Sequence, residues 1–263
     1  MTVLTCAGDP VPHLLDARRA GAALPHFPGS VPGTLADAYA CQHRLTAALG
    51  QPVLGWKVGR IPVPLIDQLG TDRLAGPVLR SAQLTGETPG QAHIFVGGAA
   101  AIEVELMLRL AKLPPELPAT PDDTRGCVDR ICAGFEVASS PAPDVHDHAP
   151  YGIIADVGIN NGLLIGPELE PEGCEQLMVE TRIADAVVGT GRACDILDGP
   201  WGALHFLMAL HFRGEIRLAA GQWISAGAIT GVHPIDPGQS ATARFGDKAI
   251  IHCIAVPESE DIA

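Results

Sequence analysis

Residues 102, 104, 106, 108 and 110 are all Ile, Val or Leu, in the run Ala101-Ile102-Glu103-Val104-Glu105-Leu106 and its continuation. Strict alternation of this kind predicts a β-strand with one buried face. In a strand Glu103 and Glu105 project the same way, whereas in a helix they would stand about 200° apart and share no ligand. Two carboxylates on one strand face repel unless positive charge lies between them. The candidate is a hard divalent cation, which prefers oxygen ligands. Gly134-Phe135-Glu136-Val137 forms a second apolar run whose Glu136 offers a third carboxylate. The alternative is a solvated strand face.

The same patterning sketches the rest. A helix is expected within 11–23. A second starts at Thr34 as N-cap, carries Leu35, Ala38, Tyr39, Leu45 and Leu49 on its apolar positions, and stops at Gly50. A short strand follows at 53–58. From about residue 93 the texture becomes short β-like runs: 93–96, 101–110, 134–138, 152–156, 162–166, 177–183, 186–189, 222–226, 241–245 and 249–255, punctuated by turn residues. Two further helices are expected, one opening at Thr120-Pro121-Asp122-Asp123 and one from Asp198-Gly199-Pro200 to Arg213. No internal repeat is evident. The expected fold is α+β: a small helical N-terminal region over 1–80 and a mixed-β core over 81–263.

Composition narrows the function classes. At 263 residues and 47% hydrophobic content the chain supports a sizeable core. The net charge of −13 leaves no basic patch for nucleic acid or an anionic membrane. No apolar run approaches the ~20 residues that span a bilayer. The N-terminus lacks the basic and apolar regions of a secretion signal. Seven scattered cysteines without a C-x-x-C read as buried thiols in a reducing cytoplasm.

Other residues carry candidate chemistry. Lys57, one of only three lysines, stands in the apolar run Gly55-Trp56-Lys57-Val58-Gly59. A buried ammonium needs a partner or a role, and an edge-strand lysine reaching water is the alternative. Asp156 follows Ile153-Ile154-Ala155 and is placed to orient a ligand or to initiate a turn. His146 and His148, in a Pro-flanked segment, read as a solvated loop because no matched zinc ligands accompany them. His205 and His211, six apart on the last long helix, share no face. Gly189-Thr190-Gly191-Arg192-Ala193-Cys194 lacks the third glycine of a dinucleotide loop and reads as a turn.

Taken together, Gly55-Trp56-Lys57-Val58-Gly59, Ala101-Ile102-Glu103-Val104-Glu105, Gly134-Phe135-Glu136-Val137, Ala155-Asp156 and the closing segment 218–230 resemble, in order and spacing, the 2-oxopent-4-enoate hydratase / 4-oxalocrotonate decarboxylase family of the fumarylacetoacetate hydrolase superfamily. The resemblance spans roughly residues 35 to 255. It implies a mixed β-sheet roll or barrel core and a Mg²⁺ or Mn²⁺ ion held by Glu103, Glu105 and Glu136. It maps the family's active-site lysine onto Lys57. Asp156 is taken as a further catalytic residue, and Arg60 and Thr230 as substrate-binding ones. The activity expected first is hydration of a 2-hydroxy-2,4-dienoate to a 4-hydroxy-2-oxo acid. The rivals are 4-oxalocrotonate-type decarboxylation and a non-catalytic partner subunit. A homo-oligomer is the expected assembly. A diketone hydrolase is disfavoured, because the His-Glu pair of those relatives has no counterpart in a stretch from 60 to 92 that lacks histidine. The chain departs from the family at Arg60-Ile61-Pro62, at Ser139-Ser140, at residues 157–161 and at Ala226-Gly227-Ala228, where hydroxyl or arginine residues are usual. Arg60 then becomes a candidate clamp for a second substrate carboxylate.

Overall fold

The computed structural model describes residues 8–259. Helix α1 (Val11–Ala20) begins after Pro10 and closes at Gly21 in the left-handed region. Helix α2 (Leu35–Leu49) is capped by Thr34, whose hydroxyl accepts from the Asp37 amide at 3.1 Å, and ends at Gly50 with φ +73°. Then follow β1 (Gly55–Arg60), α3 (Val63–Leu69), β2 (Arg73–Val78), β3 (Ser81–Gln83), β4 (Gly90–Ile94), β5 (Ala99–Leu110) and β6 (Val128–Ser140). The second half runs α4 (Tyr151–Ala155), β7 (Asn160–Glu168), β8 (Val179–Ile183), β9 (Ala186–Gly191), α5 (Gly199–Phe212), β10 (Trp223–Ser225), β11 (Val232–Pro234), β12 (Ser240–Phe245) and β13 (Ala249–Pro257).

The strands form two mixed sheets, an α+β arrangement. The larger has the order β2-β1-β10-β5-β6-β7-β3, with β11 also on β5; the smaller has the order β4-β13-β12-β8-β9. The main apolar core takes Ile102, Val104, Leu106 and Leu108 from β5, Ile131, Ala133, Phe135 and Val137 from β6, and much of α5. The opposite face of β5 is also buried, which the alternation alone did not predict. There Ala101 joins a cluster with α1 and α2, and Met107 joins one with Leu163, Ile165 and Trp223. Glu103 and Glu105 lie between these two apolar patches on one covered face.

Several expectations are corrected. The run at 152–156 is helical, because Pro150 opens α4 and its apolar residues pack on α2 and β2. The helix expected from Thr120 is a 3₁₀ helix, Asp122–Cys127. The segment 145–148 forms a 3₁₀ turn that buries Val145, while His146 and Asp147 stay exposed, in keeping with the solvated segment expected there. Strands β1 and β2, from the region expected to be helical, pair into the larger sheet. Among the described residues, Cys41, Cys127, Cys132, Cys174 and Cys253 are buried free thiols and Cys194 is exposed. Among the described residues no helix is long and apolar enough to cross a membrane.

Candidate active site

Strand pairing assembles the acidic cluster. Glu103 on β5 stands directly opposite Glu136 on antiparallel β6, with Glu105 two residues along. One carboxylate oxygen from each of the three lies within 4.8 Å of the others. Glu105 and Glu136 are fully buried, and Glu103 keeps 6% exposure. Lys57 arrives on β1, and its Nζ lies 3.2 Å from Glu136 Oε1 at 3% side-chain exposure.

Neighbouring donors fix the carboxylates asymmetrically. Ser225 Oγ donates to Glu105 Oε2 at 2.5 Å, and the Gly227 amide donates to the same oxygen at 2.7 Å. Asn160 Nδ2 donates to Glu136 Oε1 at 3.0 Å. This leaves Glu105 Oε1 and Glu136 Oε2 buried without a hydrogen-bond partner. Buried polar atoms normally have partners, so two orphan carboxylate oxygens in one cluster point to a missing cationic one. The donor set is all oxygen and suits Mg²⁺ or Mn²⁺. Three carboxylates and one ammonium leave two negative charges, which one divalent cation cancels.

The electrostatics agree. Burial pushes the Glu103 carboxyl up to about 7, against the pull of Lys57 and with repulsion from Glu136 adding to it. Burial and the two neighbouring glutamates raise Glu105 well above the carboxylate range. Burial opposes the charge on Lys57, but Glu136, Glu103 and Glu105 outweigh it and hold the ammonium above its ordinary value.

A cavity of about 560 Å³ opens onto this cluster. Lys57, Glu103, Arg60 and Arg73 line it, with apolar walls from Ile153, Ile159, Ile196 and Leu197. Arg60 and Arg73 are direct partners across β1 and β2. Arg73 is engaged by Asp72 and Asp198. Arg60 is exposed and makes no ion pair among the described residues.

Two of the residues named from sequence lie elsewhere. Asp156 is buried off the cavity lining and accepts from Arg18 Nε at 2.6 Å, since a buried carboxylate beside a guanidinium pairs with it rather than with a ligand. Thr230 is hydrogen-bonded to Thr181 (2.7 Å) and His233 (3.1 Å) and is not on the cavity lining, which takes Ala226, Gly227, Ala228, Gly231 and Val232 from this segment. Conversely, Asn160, Ser225, Arg73 and His146 were not singled out for the site. A clue existed for Ser225, which precedes the altered Ala226-Gly227-Ala228 segment, and none for Arg73.

No protein-family model matches the chain, and no curated protein matches it. Solved structures do. A 4-oxalocrotonate decarboxylase from Pseudomonas putida G7 complexed with calcium and acetate aligns with a TM-score of 0.76 at 21% identity, over 94% of this chain and 95% of that one. The same enzyme complexed with magnesium and adipate gives 0.74 at 21% identity, over 94% and 95%. A fumarylpyruvate hydrolase from Pseudomonas aeruginosa in complex with Mn²⁺ and pyruvate gives 0.55 at 13% identity, over 77% and 89%. At these identities the likeness establishes the fold, which is of the fumarylacetoacetate hydrolase type.

Proposed function

We propose that this chain is a divalent-cation-dependent lyase acting on a 2-oxo acid, and that its reaction is decarboxylation of an unsaturated 2-oxo dicarboxylate of the 4-oxalocrotonate type. The observation that carries the reading is the buried Glu103, Glu105 and Glu136 cluster, with two orphan oxygens, facing a cavity edged by Arg60, which has no ion-pair partner among the described residues. When bound there, the cation supplies positive charge to a ketone oxygen as negative charge develops on it. Ser225, the Gly227 amide and Asn160 hold the carboxylates in place, so little reorganisation is needed on binding. Lys57 offsets the cluster's charge and favours an anionic ligand. Arg60 orients the distal carboxylate at the cavity edge, and the apolar walls favour neutral CO₂ as it forms.

Hydration of a 2-hydroxy-2,4-dienoate is the second reading, favoured by the presence of a histidine, His146, in the same cavity. The test is turnover of 2-oxohex-3-enedioate and of 2-hydroxypenta-2,4-dienoate, each with Mg²⁺, with Mn²⁺ and with EDTA. Metal-dependent loss of CO₂ from the first supports decarboxylation. Water addition to the second alone shifts the assignment to hydratase. No metal-dependent reaction with either overturns the proposal.

A further inference from the structure

His146 belongs to the 3₁₀ turn Val145–His148, which neighbouring contacts anchor. Val145 is fully buried, the Phe27 amide donates to Asp144 Oδ1 at 2.6 Å, the Ala149 amide donates to the His146 carbonyl at 3.2 Å, and the His148 ring packs 5.4 Å from that of Phe27. The turn places His146, an exposed residue, on the lining of the same cavity as Lys57 and Glu103. Among the described residues neither ring nitrogen of His146 has a hydrogen-bond or ion-pair partner. His205, His211, His233 and His252, by contrast, each hold a hydrogen bond within the fold.

Of the titratable groups on the cavity wall, Lys57 is committed to Glu136, Glu103 to the carboxylate cluster, and Arg73 to Asp72 and Asp198. Arginine does not exchange protons near neutrality, which removes Arg60. Asp195 and His146 remain, and only the imidazole changes charge near pH 7 in its ordinary state. Burial, and after it the Lys57 ammonium, hold His146 below the ordinary imidazole value, so it stands ready as a neutral base.

Resting on the 2-oxo acid reading above, we infer that His146 is a catalytic residue that moves protons to and from the carbon chain of the substrate. As base, a ring nitrogen takes a proton from C3. The C–H electron pair becomes the C2–C3 double bond, and the ketone π pair moves onto its oxygen. In reverse, the imidazolium N–H breaks as a C–H bond forms, and water resupplies the imidazole proton. Decarboxylation needs the same delivery to the dienolate left by CO₂.

The probe is 2-oxopentanoate with Mg²⁺ in D₂O, following deuterium entry at C3 by NMR, with Mg²⁺ and oxalate binding measured in parallel. Wild type is expected to exchange. His146→Gln is expected to exchange ~10²-fold or more slowly while binding Mg²⁺ and oxalate as wild type does. Added imidazole is expected to restore exchange to His146→Ala. Exchange by His146→Gln at the wild-type rate overturns the inference. So does loss of Mg²⁺ and oxalate binding in that variant, which marks a structural role. Wild type that binds both yet exchanges no proton overturns the inference and leaves the proposed function standing. Wild type that binds neither overturns the proposed function, and the inference with it.

Discussion

At the scale of single residues, charge compensation dominates. Lys57 is almost wholly enclosed and stands beside three glutamates. Breaking a buried ion pair from one side costs about 3–5 kcal/mol, because the remaining charge loses its compensation. Lys57→Met is therefore expected to lower metal-free stability by that order and to reduce turnover ~10²-fold or more, while Mg²⁺ binds at least as tightly. Calorimetric titration together with turnover checks this, and weaker Mg²⁺ binding in the variant would contradict the assigned role. Arg60→Ala is expected to act selectively. A hydrogen bond to a charged group contributes about 1.5–3 kcal/mol, so kcat/KM for a dicarboxylate should fall roughly 10- to 100-fold, with little change for a monocarboxylate homologue. Equal losses on both would remove Arg60 from recognition of the distal group. The carboxylate cluster was legible in the sequence because the period-2 geometry of a strand needs no tertiary information. Ser225 and Asn160 were not. Ser225 reaches Glu105 only because β10 lies antiparallel beside β5, pairing Ser225 with Met107 across 118 positions of sequence.

At the scale of elements, the segment leading into β7 is the most constrained. Val157, Gly158 and Ile159 have φ of 48°, 68° and 53°, a left-handed run that costs energy at β-branched residues. Only glycine is tolerated at 158, where an added Cβ would lie 2.8 Å from the Gly76 Cα and 3.2 Å from Lys57 Cδ. Arg18 on α1 clamps the run through Asp156 Oδ1, the Asp156 carbonyl (3.3 Å) and Asn161 Oδ1 (3.4 Å). The two N-terminal helices thus support the wall that carries Ile159 and Asn160. Arg18→Met is expected to lower stability by about 3–5 kcal/mol and to raise amide exchange locally in 154–162. A uniform rise across the whole chain would show that the clamp is not local. The capped helices were legible here, since Thr34 and Gly50 act through neighbouring backbone alone. Strand β2 was missed because Arg73-Leu74-Ala75-Gly76-Pro77-Val78 contains Gly and Pro; as an edge strand it tolerates both. The apolar run at 152–156 was misread because so short a run cannot distinguish helix from strand.

At the scale of the whole molecule, two charged devices tie distant parts together. Glu258, beyond β13, accepts from Arg80 at 2.8 and 3.2 Å and from Asn161 at 2.6 Å, joining the end of the smaller sheet to the larger one. Burial alone would raise its pKa, but the Arg80 hydrogen bonds and charge, with Asn161 and the Ser259 amide, lower it. A carboxyl depressed in the folded state stabilises the fold above its unfolded value, near pH 4.3, and loses that contribution as pH falls through the folded one. Wild-type stability should therefore drop below about pH 4.3, and Glu258→Gln should flatten that part of the curve. Strands β1 and β2 complete their hydrogen bonding only inside the larger sheet, which no local pattern announces. The acidic cluster works against the fold it sits in. Three carboxylates enclosed beside one ammonium repel each other, and two of their oxygens lack partners, so the metal-free protein carries strain that a cation relieves. A ligand that binds only the folded state at 100 times its Kd adds about 2.7 kcal/mol. For a chain of this size each kcal/mol moves Tm by roughly 2–4 °C, so saturating Mg²⁺ should raise Tm by about 5–10 °C over protein in EDTA. Glu103→Gln removes a charge whose burial, with repulsion from Glu136, outweighs its attraction to Lys57. It is expected to melt above wild type in EDTA and to lose the Mg²⁺ shift, exchanging ligand affinity for stability as functional sites commonly do. Scanning calorimetry on the two proteins, with and without Mg²⁺, gives the four melting temperatures needed. A wild-type Tm indifferent to Mg²⁺, with Glu103→Gln no more stable in EDTA, would show that the three glutamates neither repel as argued nor gather a cation.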